Sequence, residues 1–101
     1  MSVLLAIDTA APRLQLAVLR DDDRVATLVK DMATGQAERL FPALDELLAT
    51  AGVTYADFTR IAVTTGPGSF TGLRIGLSAA RGLALALNIP VLGIPSLLAL
   101  S

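Results

Sequence analysis

The chain opens with an unbroken apolar run, Val3-Leu4-Leu5-Ala6-Ile7, of strand length. A run without alternation fits a central strand covered on both faces. It gives way to Asp8-Thr9-Ala10-Ala11-Pro12, which reads as a polar turn closed by proline. From Arg13 to Leu19 the pattern alternates. Leu14, Leu16 and Val18 share one face and Arg13, Gln15 and Ala17 the other, which predicts a half-buried strand. Asp21-Asp22-Asp23 is a charged hairpin tip, since neighbouring side chains on a turn diverge too far to share a metal. Val25 to Val29 supplies a third strand, and three strands on short turns form an antiparallel meander.

The period then changes. Leu40, Phe41, Leu44, Leu47, Leu48 and Ala51 fall at helical spacing, with Glu38, Asp45 and Glu46 on other faces. Thr34 or Gly35 opens this helix and Gly52 stops it. Pro42 is tolerable within the first two turns. After a short connection, Ile61 to Thr65 is a fourth strand and Thr71 to about Leu87 a second helix. Asn88 and Pro90 end that helix, Val91 to Ile94 is a fifth strand, and Pro95-Ser96 begins a further helical stretch, Leu97 to Leu100. The order β-β-β-α-β-α-β predicts an α/β fold: a mixed five-stranded sheet with helices on its faces, joined by right-handed crossovers. No internal repeat or linker interrupts it, and the sequence is expected to stop within an architecture rather than at a domain boundary.

The second helix carries small residues at every fourth position: Gly72, Gly76, Ala80 and Ala84. A glycine inside a helix costs about 1 kcal/mol relative to alanine, so two on one ridge need a compensating close approach. Leu73, Leu77 and Leu87 flank the ridge, and Ile75, Ala79, Gly82, Leu83 and Ala86 form a second apolar surface. Only Arg74, Ser78 and Arg81 make a polar strip. A helix apolar nearly all round is buried on two sides, one against the sheet and the other against the first helix, a partner, or both.

Composition narrows the chemistry. Of 101 residues, 53% are hydrophobic and 17% charged, more apolar than a small domain needs for its own core, which suggests a covered surface. A net charge of −1 provides no basic field for nucleic acid, so any RNA is expected to be held by another protein. There is no cysteine, which removes disulfides and thiolate chemistry, and no histidine, which removes the commonest general base and metal ligand. The N-terminal apolar run has no basic segment before it and is too short for a signal peptide or a membrane span. A cytoplasmic protein without membrane contact is expected.

Two stretches are candidates for chemistry. Gly66-Pro67-Gly68-Ser69-Phe70-Thr71-Gly72 turns a strand into a helix N-terminus, where backbone N–H groups attract anions. It lacks the Gly-Lys-Ser/Thr of a Walker A loop, and its glycine spacing is not the dinucleotide fingerprint. Phosphate held by backbone groups and Ser69 or Thr71 remains one reading; glycines that only permit a close helix approach is the other. Thr71 also suits an N-cap, and Arg74 in the first turn opposes the helix dipole, as a cation with an anionic partner would. Asp8-Thr9 at a strand end could hold a hydrated Mg²⁺ or simply form the turn.

Ile7-Asp8-Thr9-Ala10, Glu38-Arg39-Leu40-Phe41-Pro42 and Gly66-Pro67-Gly68-Ser69-Phe70-Thr71-Gly72-Leu73-Arg74-Ile75-Gly76 together resemble the bacterial tRNA threonylcarbamoyladenosine biosynthesis proteins called TsaB or YeaZ. Gly82-Leu83-Ala84, Ile89-Pro90-Val91 and Ser96-Leu97 continue the resemblance over essentially the whole chain. It implies a ribonuclease-H-like lobe of the actin-like ATPase and sugar-kinase superfamily. Residues 1–101 would be the N-terminal lobe, with a C-terminal lobe absent. It implies a non-catalytic scaffold that docks and stabilises the catalytic paralogue TsaD, working with the ATPase TsaE. That complex transfers a threonylcarbamoyl group to N6 of the adenosine beside the anticodon, so tRNA contact is indirect. TsaD carries a histidine-rich metal motif that this sequence does not contain.

The resemblance also implies pairing through the first two helices, as a homodimer or with TsaD. Leu40, Leu44, Leu73, Gly76, Leu77 and Ala80 are the expected contact surface. Gln36-Ala37 stands where relatives often carry a histidine before the first helix, so any pH-sensitive role there is lost. No cofactor and no catalytic or metal-ligating residue is required. The rival reading is the nucleotide-binding lobe of a sugar-kinase-like phosphotransferase or ATPase. It would bind ATP or ADP with Mg²⁺ through Asp8, Thr9, Gly68 and Ser69. A metallopeptidase reading fails for want of a histidine.

Overall fold

The computed structural model describes residues 2–11, 13–21, 23–31, 36–65 and 70–94. Three strands come first: β1 (Val3–Ala11), β2 (Arg13–Arg20) and β3 (Asp23–Asp31). Helix α1 (Gln36–Ala51), a single 3-10 turn (Tyr55–Asp57), β4 (Arg60–Thr64), helix α2 (Phe70–Leu87) and β5 (Val91–Ile94) follow. The predicted helical stretch Leu97 to Leu100 and the predicted opening of the first helix at Thr34 or Gly35 lie outside the described residues.

The strands form one sheet in the order β3-β2-β1-β4-β5. β1 is central. It pairs antiparallel with β2, Leu5 opposite Val18, and parallel with β4, Leu5 beside Ile61. β2 and β3 are antiparallel, and β4 and β5 parallel. Both crossovers, β3 to β4 through α1 and β4 to β5 through α2, step across the sheet in the same direction. A shared handedness therefore places both helices on one face. One core cluster joins Val3, Leu5 and Ile7 of β1, Leu14, Leu16 and Val18 of β2, and Ile61 and Val63 of β4 to Leu40, Leu44 and Leu47 of α1 and Ala80 and Ala84 of α2. Each fully buried leucine or isoleucine there contributes about 2 kcal/mol. The predicted mixed five-stranded sheet with helices packed on it is thus observed, with both helices on one face.

The opposite face carries a second apolar cluster of strand residues alone, Leu4, Ala6, Ala17, Leu19 and Ala62, with Ile94 beside it. Ala17 and Leu19 are also buried, so burial along β2 is not confined to the face of Leu14, Leu16 and Val18. Arg60 follows the same face as Leu4, its register partner, and its Nη2 donates to Ser2 Oγ at 3.2 Å.

The helix ends follow their caps. Gly52, at φ +71°, closes α1 in the left-handed region, and its N–H donates to the Leu48 carbonyl at 2.9 Å. Asn88, at φ +56°, closes α2. Between α1 and β4 the Thr54 N–H donates to Asp57 Oδ2 at 2.8 Å, and the Asp57 N–H donates back to the Thr54 carbonyl at 3.0 Å. Pro42 is the seventh residue of α1 and is exposed, so its missing N–H falls on the solvent side. Asp8 and Thr9 do not form a turn. β1 runs through them to Ala11, Asp8 lies opposite Gln15, and the register shifts only between Asp8 and Ala11.

Candidate functional site

Helix α2 has two faces of different kinds. Its small-residue ridge points inward. Gly76 is buried, Ala80 is fully enclosed and Ala84 nearly so. A Cβ added to Gly76 would collide with Thr9 Oγ1 of β1 and lie 3.4 Å from both Thr9 Cβ and Thr9 Cγ2. The compensating gain for a glycine at this position is therefore close approach of α2 to the central strand. Of the residues expected to meet a partner, Gly76 and Ala80 are used in this way. Leu40 and Leu44 are likewise spent inside the α1 contact with the sheet, at 1% and 0% exposure. Leu77 is half-buried against the same core. In this chain Leu40, Leu44, Gly76 and Ala80 lie on the core side of each helix, the side their periodicity marks. The Leu73 side chain lies outside the described ones.

The outward face is made by different residues. Arg74, Ser78, Arg81, Gly82, Leu85 and Ala86 are exposed along α2, Leu85 at 86%. On α1 the exposed positions are Phe41, at 44%, Pro42, Asp45, Glu46, Ala49 and Thr50. Between the helices runs a groove of about 540 Å³, lined by Leu40 and Phe41 from α1 and by Arg74, Ile75, Ser78, Ala79 and Gly82 from α2. Gly82 differs from Gly76 in one decisive respect: nothing lies within 4 Å of a Cβ built on it. No contact among the described residues explains a glycine in mid-helix there.

The charges around this groove are unevenly placed. α2 contains two arginines and no acidic residue. The described carboxylates of α1 are engaged. Asp45 accepts a hydrogen bond from the Tyr55 hydroxyl at 2.9 Å, and Glu46 pairs with Lys30 of β3 at 3.3 Å. Burial, then the hydrogen bond to Asp45 and its negative charge, push the Tyr55 hydroxyl up to about 12.

The strand-end candidates fare differently. β1, β4 and β5 are parallel; β1 runs on to Ala11, while β4 and β5 end level at Thr64 and Ile94. There Thr65 donates to the Ile94 carbonyl from N at 2.7 Å and from Oγ1 at 3.0 Å, and Thr64 Oγ1 makes a long 3.5 Å contact with the Ile7 carbonyl. Thr9 is 1% exposed and faces α2, whereas Asp8 follows Gln15 onto the helix-free face. The sheet separates the two side chains. Gly68 and Ser69 lie outside the described residues. Asp8 is therefore the one member of that set presented on the helix-free face among the described residues. Among the described residues no three acidic or other metal-ligating side chains come together.

Sequence reasoning placed Gly82 on a second apolar surface of α2 but missed Phe41 and Leu85 as surface. The signal was available: Phe41 falls one position off the Leu40–Leu44–Leu47 stripe, and Leu85, like Gly82, falls off the Gly76–Ala80–Ala84 ridge.

Known proteins share this arrangement. A model of the family described as "TsaD: tRNA N6-adenosine threonylcarbamoyltransferase" matches residues 30–101. The chain is 38% identical over 94 residues to the Bacillus subtilis protein named tRNA threonylcarbamoyladenosine biosynthesis protein TsaB, covering 93% of this chain and 41% of that protein. Among solved structures, YeaZ from Pseudomonas aeruginosa superposes with a TM-score of 0.87 at 38% identity, covering 96% of this chain and 45% of that one. The chain thus spans less than half the length of the curated relatives it matches. A RuvC structure from Thermus thermophilus, at TM-score 0.63 and 17% identity over 93% of this chain and 64% of that one, shares the fold alone. The lobe is ribonuclease-H-like. Among the described residues no helix is long and apolar enough to cross a membrane.

Proposed function

This chain belongs to the TsaD family, in its TsaB/YeaZ branch, and from that premise we propose that it serves tRNA threonylcarbamoyladenosine biosynthesis as a non-catalytic docking subunit. Its role is to seat a TsaD-like catalytic subunit against the outward faces of α1 and α2. A TsaE-like ATPase and the tRNA are reached through that complex, in the cytoplasm where tRNA is modified. The chain itself has no histidine for the metal motif of the catalytic paralogue.

The observation that carries this reading is Gly82. It sits exposed in mid-helix, lines the groove beside Phe41, and has empty space where its side chain would be. A helix glycine costs about 1 kcal/mol, and the only contact left to justify it is one from outside the described chain. Phe41 and Leu85 supply the apolar anchors that such a contact would desolvate.

Gly82→Leu tests the proposal. The substitution has room within the chain, so the unfolding midpoint is expected to hold or rise. The heterodimer mass in sedimentation with the TsaD-family subunit of the same organism is expected to disappear. An unchanged heterodimer would refute the docking role of this face.

A further inference from the structure

We draw no further inference here: the strongest candidate, the apolar face of the sheet opposite the two helices, where Leu4, Ala6, Ala17, Leu19 and Ala62 cluster beside Ile94, carries nothing because nothing in the structure shows what covers it.

Discussion

Replacing Gly76 with alanine tests how α2 is seated. In most exposed helix positions Gly→Ala stabilises by about 1 kcal/mol, because alanine loses less backbone freedom on folding. At Gly76 the new methyl would meet Thr9 Oγ1 at a separation that side chains do not tolerate, with Thr9 Cβ and Cγ2 both already at 3.4 Å. Relief requires Thr9 to leave its rotamer or α2 to retreat from β1. Thr9 is β-branched and 1% exposed, so its χ1 is stiff and its surroundings are full. Retreat of α2 loosens Ala80 and Ala84 as well, since they lie on the same ridge. Overpacking of this kind costs about 1–3 kcal/mol, which exceeds the propensity gain.

We expect Gly76→Ala to destabilise by about 1 kcal/mol net, a fall in midpoint of roughly 4–8 °C for a chain of this size. Gly76→Leu should be several times worse. Thermal and urea unfolding followed by circular dichroism on wild type, Gly76→Ala, Thr9→Ala and the double variant measures the coupling directly. With Thr9 shortened the added methyl has room. The double variant should then be more stable than the sum of the singles predicts, by about 1 kcal/mol or more. Gly82→Ala, with nothing within 4 Å, is the control and should gain stability. A Gly76→Ala variant that gains stability like Gly82→Ala, with no coupling to Thr9, would refute the packing of this ridge on β1.

Two smaller expectations follow from the caps and from the raised tyrosine. Gly52→Ala places a Cβ at φ +71° and should cost about 1 kcal/mol, read as a lowered urea midpoint with an unchanged slope. Tyr55, raised to about 12 from 10.0, holds its proton more tightly folded than unfolded. Its stabilising share is complete below pH 10 and is lost as pH climbs from 10 to 12. Tyr55→Phe should therefore flatten the alkaline limb of a stability–pH curve and cost only about 1 kcal/mol near neutrality.

Hydrophobic periodicity carried the element order well. The switch from alternation in Arg13–Leu19 to helical spacing in Leu40–Ala51 placed the first crossover, and Gly52 and Asn88 marked the helix ends that the left-handed backbone now explains. Polarity misled at Asp8-Thr9. Two polar residues looked like a turn, but a strand tolerates them when one faces the open side and the other is covered by a glycine from a helix. The direction of the α2 ridge was not legible either. A four-residue spacing states that something approaches closely, not whether it is the chain's own sheet or a partner. The same limit moved the candidate site. Strict periodicity identified Leu40, Leu44, Gly76 and Ala80, which are core, whereas the outward surface is written in residues that break the pattern, Phe41, Gly82 and Leu85.

The central position of β1 has a consequence for how the chain reaches this structure. Leu4 pairs with Arg60, 56 residues away, while its antiparallel partner Leu19 is only 15 away. On a ribosome the β1–β2–β3 meander can close as soon as it emerges, but the other edge of β1 must wait for β4. Until then Leu4-Leu5-Ala6-Ile7 offers unpaired N–H and carbonyl groups on an apolar strand, the form most prone to intermolecular pairing. Closing so long a loop is entropically slow, so arrival of Ile61-Ala62-Val63 is the step at which a nascent chain either folds or aggregates.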